Sequence, residues 1–358
     1  MRILYDHQMF SFQKFGGVTR YFCDLMTNLP EGYEYELPIL FSENQYLSNE
    51  LFSGCKKIPC ISSFRVKRRI YYFFNNSLSK RVIGSNTYDL FHPTYYDTYF
   101  LKKIKRPFVL TIHDMIHEKY PKYFKPYDNT SEQKFLLCKN AAHIISVSEN
   151  TKKDLIDLFG IHPEKISVVY HGYSQSDSLE EPLFNNYILY VGERKGYKNF
   201  YGFIEAIIPL LLNEPDLKIV CTGQFFASKE IALFNKWKIS NQLFHLSASE
   251  KQLASLYKYA LFFVYPSLYE GFGIPILEAF KNGCPVCLSN SSCFPEIAGN
   301  AACYFDPLNS DSILDAVNKL LTNKEYVQQL RIQGKNRLDL FSLNKMVRGT
   351  CDVYERIR

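Results

Sequence analysis

The chain has 358 residues, a length that suits two domains, and 46% hydrophobic with 22% charged residues excludes a disordered chain. Its 42 basic and 36 acidic side chains leave a formal charge of +6, which suits nucleotide phosphates or an anionic membrane surface and demands no nucleic acid. No apolar run reaches the roughly 18 residues that a membrane-crossing helix needs.

In chain order, short apolar runs alternate with helical patterns, the signature of βα units and parallel sheets. The opening, Met-Arg-Ile-Leu-Tyr-Asp, reads as a strand and not as a signal peptide, so a cytoplasmic protein with reduced thiols is expected. Predicted strands cover Arg2–Tyr5, Leu37–Phe41, Leu90–His92, Phe108–Ile112, His143–Val147 and Ser167–Tyr170 in the first half. Gly16 and Gly17 fall in a loop before a predicted helix over Val18–Leu29, and His113 and Asp114 end the strand at Phe108–Ile112. Residues 64–81 mix six Lys or Arg with five aromatics, which fits either an aromatic core face backed by a solvated basic face or a helix lying in a membrane interface. The polar stretch from Gln175 to Leu183 lacks a period and marks an interdomain linker.

In the second half, predicted strands cover Tyr187–Val191, Lys218–Thr222, Leu243–Leu246, Leu261–Tyr265, Val286–Leu288 and Ala302–Phe305. Beyond about residue 308 the chain reads as helical. The expected domains are residues 1–173 and 187–341, with a linker at 174–186 and a terminal helix over 342–358. Cys284 and Cys287 form a C-x-x-C, but no second Cys or His pair is spaced to complete a metal site.

The most informative stretch is Tyr265-Pro-Ser-Leu-Tyr-Glu-Gly-Phe-Gly-Ile-Pro-Ile-Leu-Glu. It begins at the end of a predicted strand, where Gly271 and Gly273 let the backbone approach a ligand closely. Pro275 suits the first turn of the next helix, whose amino end favours anions. Glu270 stands before the loop, and Glu278, eight residues later, lies one turn into the helix. A carboxylate there can accept hydrogen bonds from vicinal hydroxyls.

This unit resembles the E-x7-E signature of retaining glycosyltransferases of the GT-B fold, in particular glycosyltransferase family 4. Four further motifs occur in the family's order. Gly16-Gly17-Val18-x-Arg20 resembles its first glycine turn, and Thr111-x-His113-Asp114 its T-x-H-D motif. Val191-Gly192-x-Arg194-x-x-x-Lys198-Asn199 resembles its diphosphate loop, and Gly283-x-Pro285-Val286-x-x-Ser289 its next strand and turn. The resemblance implies an α/β, GT-B architecture of two Rossmann-like domains with parallel sheets facing across a cleft. It implies a nucleoside diphosphate sugar as co-substrate, UDP- or GDP-linked, with no separate cofactor and no metal. The donor site would comprise Gly17, Arg194, Lys198, Glu270, Gly271, Phe272, Gly273 and Glu278, with backbone near His245 reading the base. His113, Glu270, Arg194 and Lys198 would carry catalysis, while Gly16, Gly17 and Asp114 would face the acceptor, a glycan or lipid-linked glycan. Lys195 rivals Lys198, and His117 rivals His113. The expected reaction is retaining transfer of a hexose to a hydroxyl in surface polysaccharide synthesis, with peripheral contact to an anionic membrane. A nucleotide-sugar epimerase of the same fold and a non-catalytic sugar-nucleotide-binding partner are the alternatives.

Overall fold

The computed structural model describes residues 1–48, 55–57, 63–173 and 180–358. The first part of the expected linker, 174–179, and Cys60 lie outside the described residues. Six strands in the first half are all parallel: β1 (Arg2–Tyr5), β2 (Glu34–Glu36), β3 (Leu90–His92), β4 (Val109–Ile112), β5 (His143–Ser146) and β6 (Ile166–Val168). They form two triplets, β2-β1-β3 and β4-β5-β6, joined by a single parallel bridge between Phe91 and Phe108. Six more strands form one parallel sheet: β7 (Tyr187–Tyr190), β8 (Lys218–Thr222), β9 (Leu243–Leu246), β10 (Phe262–Tyr265), β11 (Val286–Ser289) and β12 (Ala302–Phe305). Their order, β9-β8-β7-β10-β11-β12, is that of a doubly wound dinucleotide-binding sheet.

These runs become strands because both sheet faces are covered. Tyr187–Tyr190 and Phe262–Tyr265 are buried at every position, as parallel strands between helix layers require. Helix Phe200–Asn213 covers one face with Phe200, Phe203, Ile204, Ile207 and Leu211, a stripe at helical spacing. Each such side chain stabilises the fold by roughly 1.5–3 kcal/mol of transfer free energy. Polar starts are capped where a hydroxyl or amide is available. Ser148 accepts from the Thr151 N–H at the start of Glu149–Phe159, so Ser148 is the cap and Glu149 only a first-turn acid.

One predicted strand is corrected. Leu37–Phe41 does not pair as a strand; β2 lies just before it, at Glu34–Glu36, and Phe41 makes only an isolated bridge to Lys56. Pro38 has no N–H to give a ladder, so the chain leaves the sheet there. The polar residues before it pair with β1 instead, and Arg2 and Glu36 add an ion pair at 2.7 Å.

The chain divides into two compact units: Met1–Gly172 with Leu343–Arg358, and Tyr173–Ser342. Helix Leu343–Ile357 belongs to the first unit because its apolar stripe, including Met346, Val347, Cys351 and Tyr354, joins the core of Ile3, Tyr5, Phe22, Leu25 and Val109. At Gly172 a Cβ would stand 2.5 Å from the Leu343 Cα, so no side chain fits where the terminal helix crosses. The nine cysteines among the described residues are unbridged, Cys284 and Cys287 included. No helix among the described residues is long and apolar enough to cross a membrane.

Candidate active site

In open parallel sheets, ligands bind beyond the carboxyl ends of the strands, where the strand order reverses. In the second unit that point lies between β7 and β10, which pair directly although 71 residues separate Tyr190 from Phe262. The loop after β7 carries Gly192, Arg194 and Lys198; the loop after β10 carries Glu270 to Gly273. Strand adjacency brings the two loops together. Leu268 N–H donates to the Tyr197 carbonyl at 2.7 Å, and the Lys198 ammonium meets Glu270 Oε1 at 2.6 Å. Both side chains of this pair are largely shielded, 18% and 10% exposed. Lys195 is exposed and takes no part.

Local backbone explains how Lys198 is aimed. A short turn at Gly196–Lys198 ends at Asn199, which is left-handed (φ 52) and is tied to the Pro307 carbonyl through its amide. On the other side, the Glu270 N–H donates to Ser292 Oγ at 3.1 Å. Gly273 is left-handed (φ 91) and caps helix Ile274–Lys281, and a Cβ there would press on Ile276 and Phe294. Only glycine suits that bend. Phe272 is buried and packs on Phe341. Glu278, one turn into the helix, accepts from the Tyr257 hydroxyl at 3.0 Å. Tyr257 is buried, and burial with the nearby Glu278 charge pushes its hydroxyl far above the ordinary range, so it stays a donor.

Arg194 is 5% exposed. Its Nε and Nη2 donate to both oxygens of Glu230 at 2.9 and 3.3 Å, Nη2 also reaches the Phe225 carbonyl at 3.1 Å, and the guanidinium lies over the Phe226 ring. Nη1 is buried with no partner among the described residues. Glu230 accepts further bonds from the Ala227 N–H and the Tyr201 hydroxyl. Burial alone would raise its carboxyl, but Arg194 and these donors outweigh that and bring it to about 2. Glu230 has no motif around it and escapes sequence reasoning; so does Gly223, at the end of β8, where a Cβ would lie 2.8 Å from the Gly192 carbonyl. His245 on β9 turns its Nε2 to the Gly223 carbonyl at 2.9 Å and its ring against Phe225.

Removing one partner of a buried pair leaves a stranded charge. Glu230→Ala is therefore expected to destabilise the second unit by about 3 kcal/mol. Urea unfolding followed through Trp237, the single tryptophan and a neighbour of the same helix, measures this; a change under 1 kcal/mol contradicts it.

The first unit holds the remaining predicted residues. Gly16 caps helix Gly17–Thr27 with an extended backbone (φ 165), so the turn itself does not require glycine there. A short helix, Gln8–Phe12, stands between β1 and this turn. His113 follows β4; its N–H donates to the Tyr96 hydroxyl at 2.9 Å and its Nε2 is buried without a partner among the described residues. The ring lies parallel to His171 at 5.6 Å, with Tyr21 edge-on to both. Burial foremost, then His92 and Lys134, lowers the imidazole to about 3, so it is neutral at physiological pH. Asp114 Oδ1 accepts from the Ile116 N–H, and its carbonyl accepts from the buried Lys134. His117 turns away, stacked on Phe124.

Set against known proteins, residues 15–176 match the model of Glycosyltransferase Family 4 and residues 174–337 that of Glycosyl transferases group 1. The chain belongs to glycosyltransferase family 4. The O-antigen chain mannosyltransferase RfbU of Salmonella typhimurium is 31% identical over 59% of this chain, which spans 60% of that relative's length. The O-antigen chain mannosyltransferase B of Escherichia coli is 27% identical over 69% of this chain and 70% of its own. Among solved structures, sucrose-phosphate synthase from Thermosynechococcus elongatus aligns with a TM-score of 0.78 at 17% identity, covering 99% of this chain and 98% of that one. Anabaena HepE, in complex with UDP and glucose, aligns with a TM-score of 0.77 at 15% identity, covering 99% and 100%. The fold of this family 4 glycosyltransferase is GT-B, with parallel sheets in two Rossmann-like domains.

Proposed function

We propose that this glycosyltransferase moves a hexose, mannose being the first to test, from a nucleoside diphosphate sugar to a glycan or lipid-linked glycan hydroxyl, with retention and without a metal. The Lys198–Glu270 pair at the strand-order reversal carries this reading: it sets a cation and a hydroxyl acceptor side by side where a sugar diphosphate would lie. Glu278 would hold the ribose, with Tyr257 fixing its carboxylate. Lys198 and Arg194 would hold the diphosphate, next to the amino end of helix Ile274–Lys281. Glu270 would accept from the donor-sugar hydroxyls. Backbone beside His245 would read the base. Gly17, His113 and Asp114 would serve the acceptor, His113 as a neutral hydrogen-bonding ring and not as an ionised one. Rate would come from positioning and leaving-group stabilisation. Both O-antigen relatives are mannosyltransferases by name, which supports mannose as the first donor to try. A calorimetric screen of UDP, GDP, ADP and their sugar conjugates in EDTA tests it. One nucleotide is expected to bind, with Glu278→Ala weakening it at least tenfold; no binding by a folded sample would refute the donor site.

Peripheral membrane contact belongs to the same reading. Helix Phe64–Ser85 buries Tyr71, Asn75, Ser79 and Ile83 on one face and leaves Phe73 and Phe74 exposed, 69% and 45%. Exposed aromatics beside Arg69 and Arg81 suit a headgroup layer. Sedimentation with vesicles holding 30% phosphatidylglycerol is expected to fall at least fivefold for Phe73→Ser/Phe74→Ser. Equal binding to pure phosphatidylcholine would refute the electrostatic part.

A further inference from the structure

A second pocket lies in the same unit, away from the donor loops. Helix Ile274–Lys281 presents Gly273 to the donor side at its amino end; its carboxyl end, eight residues or about 12 Å on, opens into a pocket of about 640 Å³. Lys258, Lys281, Arg331 and Lys335 line it, against one carboxylate, Asp339. They come from three helices, Glu250–Tyr259, Ile274–Lys281 and Lys324–Arg337. Phe280, Ile332 and Leu338 give the pocket an apolar side, and Asn282 and Gln328 also line it. Phe280 is nearly buried, because helix Lys324–Arg337 crosses directly over it: at Gly334 a Cβ would stand 2.5 Å from the Phe280 ring. Ile332, 55% exposed, and Leu338 complete the apolar side.

Basic residues at helix carboxyl ends ordinarily answer the helix dipole, so the charge must be counted. Lys258, Lys281 and Lys335 sit in the last turns of their helices. Three helix ends carry about −0.5 each, or roughly −1.5 together. Setting Lys281 against Asp339 leaves three cations, and roughly +1.5 remains after the helix ends are answered. The side chains of Lys258, Arg331 and Lys335 make no ion pair and no hydrogen bond among the described residues. Dipole compensation therefore does not use up this charge. An inorganic anion has no use for Ile332, Leu338 and the Phe280 ring, and a neutral apolar molecule has none for three cations.

We propose that this pocket is a second ligand site of the enzyme, built for a phosphate-bearing molecule with an apolar group beside the phosphate. The site is independent of the donor site, and its test uses the full chain carrying Glu278→Ala as well as wild type. The probes are dihexanoyl phosphatidylglycerol below its micellar concentration, dihexanoyl phosphatidylcholine, and inorganic pyrophosphate, read by calorimetry. The glycerol lipid is expected to bind both backgrounds alike. Each cation near an anionic headgroup is worth about fivefold, so Lys258→Gln/Arg331→Gln/Lys335→Gln is expected to lose about a hundredfold. Should the triple variant not fold, the exposed Lys335→Gln alone is expected to lose about fivefold. Pyrophosphate binding as tightly as the lipid would overturn the apolar half and identify free phosphates as the ligands. Equal binding of the choline lipid, unchanged binding in the variants, or no binding of either phosphate compound to folded protein would overturn the site.

Discussion

Glu270→Gln is expected to slow transfer by about a hundredfold or more while tightening the bare nucleoside diphosphate. Lys198 is neutralised by Glu270, with its ammonium 2.6 Å from the carboxylate. A diphosphate arriving there meets a cation that is engaged and a carboxylate that repels it. At about 6 Å and an effective dielectric near 20, a like-charge contact costs roughly 2–3 kcal/mol. Removing the charge of Glu270, while the glutamine keeps its shape and its backbone bond to Ser292, frees Lys198 for the phosphate. The nucleoside diphosphate should then bind about tenfold tighter or more. The sugar conjugate should gain less, because under the proposed reading it also loses a carboxylate that would accept from its hydroxyls. Turnover should fall by about a hundredfold or more, the usual scale for losing one electrostatic contact to a developing charge. The sugar conjugate's advantage over the bare diphosphate should shrink together with kcat. Titration of wild type and variant with both ligands, beside single-turnover transfer, separates the effects. Weaker binding of the bare diphosphate by the variant would show that Glu270 and Lys198 do not exchange in this way.

Acid is expected to unfold the first unit before the second. Seven of the eight histidines lie in the first unit. Burial brings His7 down to about 4, and His92 and His113 to about 3, and drives His171 well below the ordinary value. His92 shows why: its two nitrogens are engaged by the Tyr354 hydroxyl at 2.7 Å and Thr111 Oγ1 at 2.8 Å in a closed polar chain, with no room for a second proton's solvation. With folded values below the unfolded 6.5, the unfolded chain binds more protons in acid. Stability is complete above about pH 6.5 and falls as pH drops toward the folded values. At pH 4.5, about two pH units below the unfolded value, His7, His92 and His113 each cost roughly 3 kcal/mol and His171 acts in the same direction, a loss comparable with the whole stability of an ordinary domain. Asp6 acts the other way. It follows β1 and is buried, and burial raises its carboxyl against the bonds from Thr94, Gln8 and Tyr99, so protonation relieves part of the loss. Far-UV circular dichroism should show a transition between pH 6 and about 4. Trp237 fluorescence, which reads the second unit with its one histidine, His245, should change only at lower pH. His7→Gln should move the transition to lower pH; a midpoint identical to that of the wild type would refute the account.

The parallel two-sheet architecture was legible in the sequence because a strand buried on both faces must be apolar throughout, and Tyr187-Ile-Leu-Tyr and Phe262-Phe-Val-Tyr are. The loop from Glu270 to Glu278 was legible for a related reason: both carboxylates and the glycine bend between them lie within nine residues, so their geometry is local. Leu37–Phe41 misled because its apolar pattern outweighed one residue, Pro38, whose missing N–H decides against a ladder. What pairs with what was not in the sequence. Lys198 and Glu270 are 72 residues apart, Arg194 and Glu230 36, and Tyr257 and Glu278 21. The first two meetings follow from β7 lying against β10 and β8, the third from the helices before and after β10 packing together, and strand order is set by how helices cover a sheet, which no local pattern records. The same holds for the terminal helix: its stripe of Met346, Val347 and Tyr354 shows that it must be buried, but only the tertiary structure chose the first unit's core to bury it. The amino-acid sequence by itself determined the elements and the chemistry of each loop, because those depend on neighbours along the chain; the folded sheet decided which charges neutralise one another, because that depends on neighbours in space.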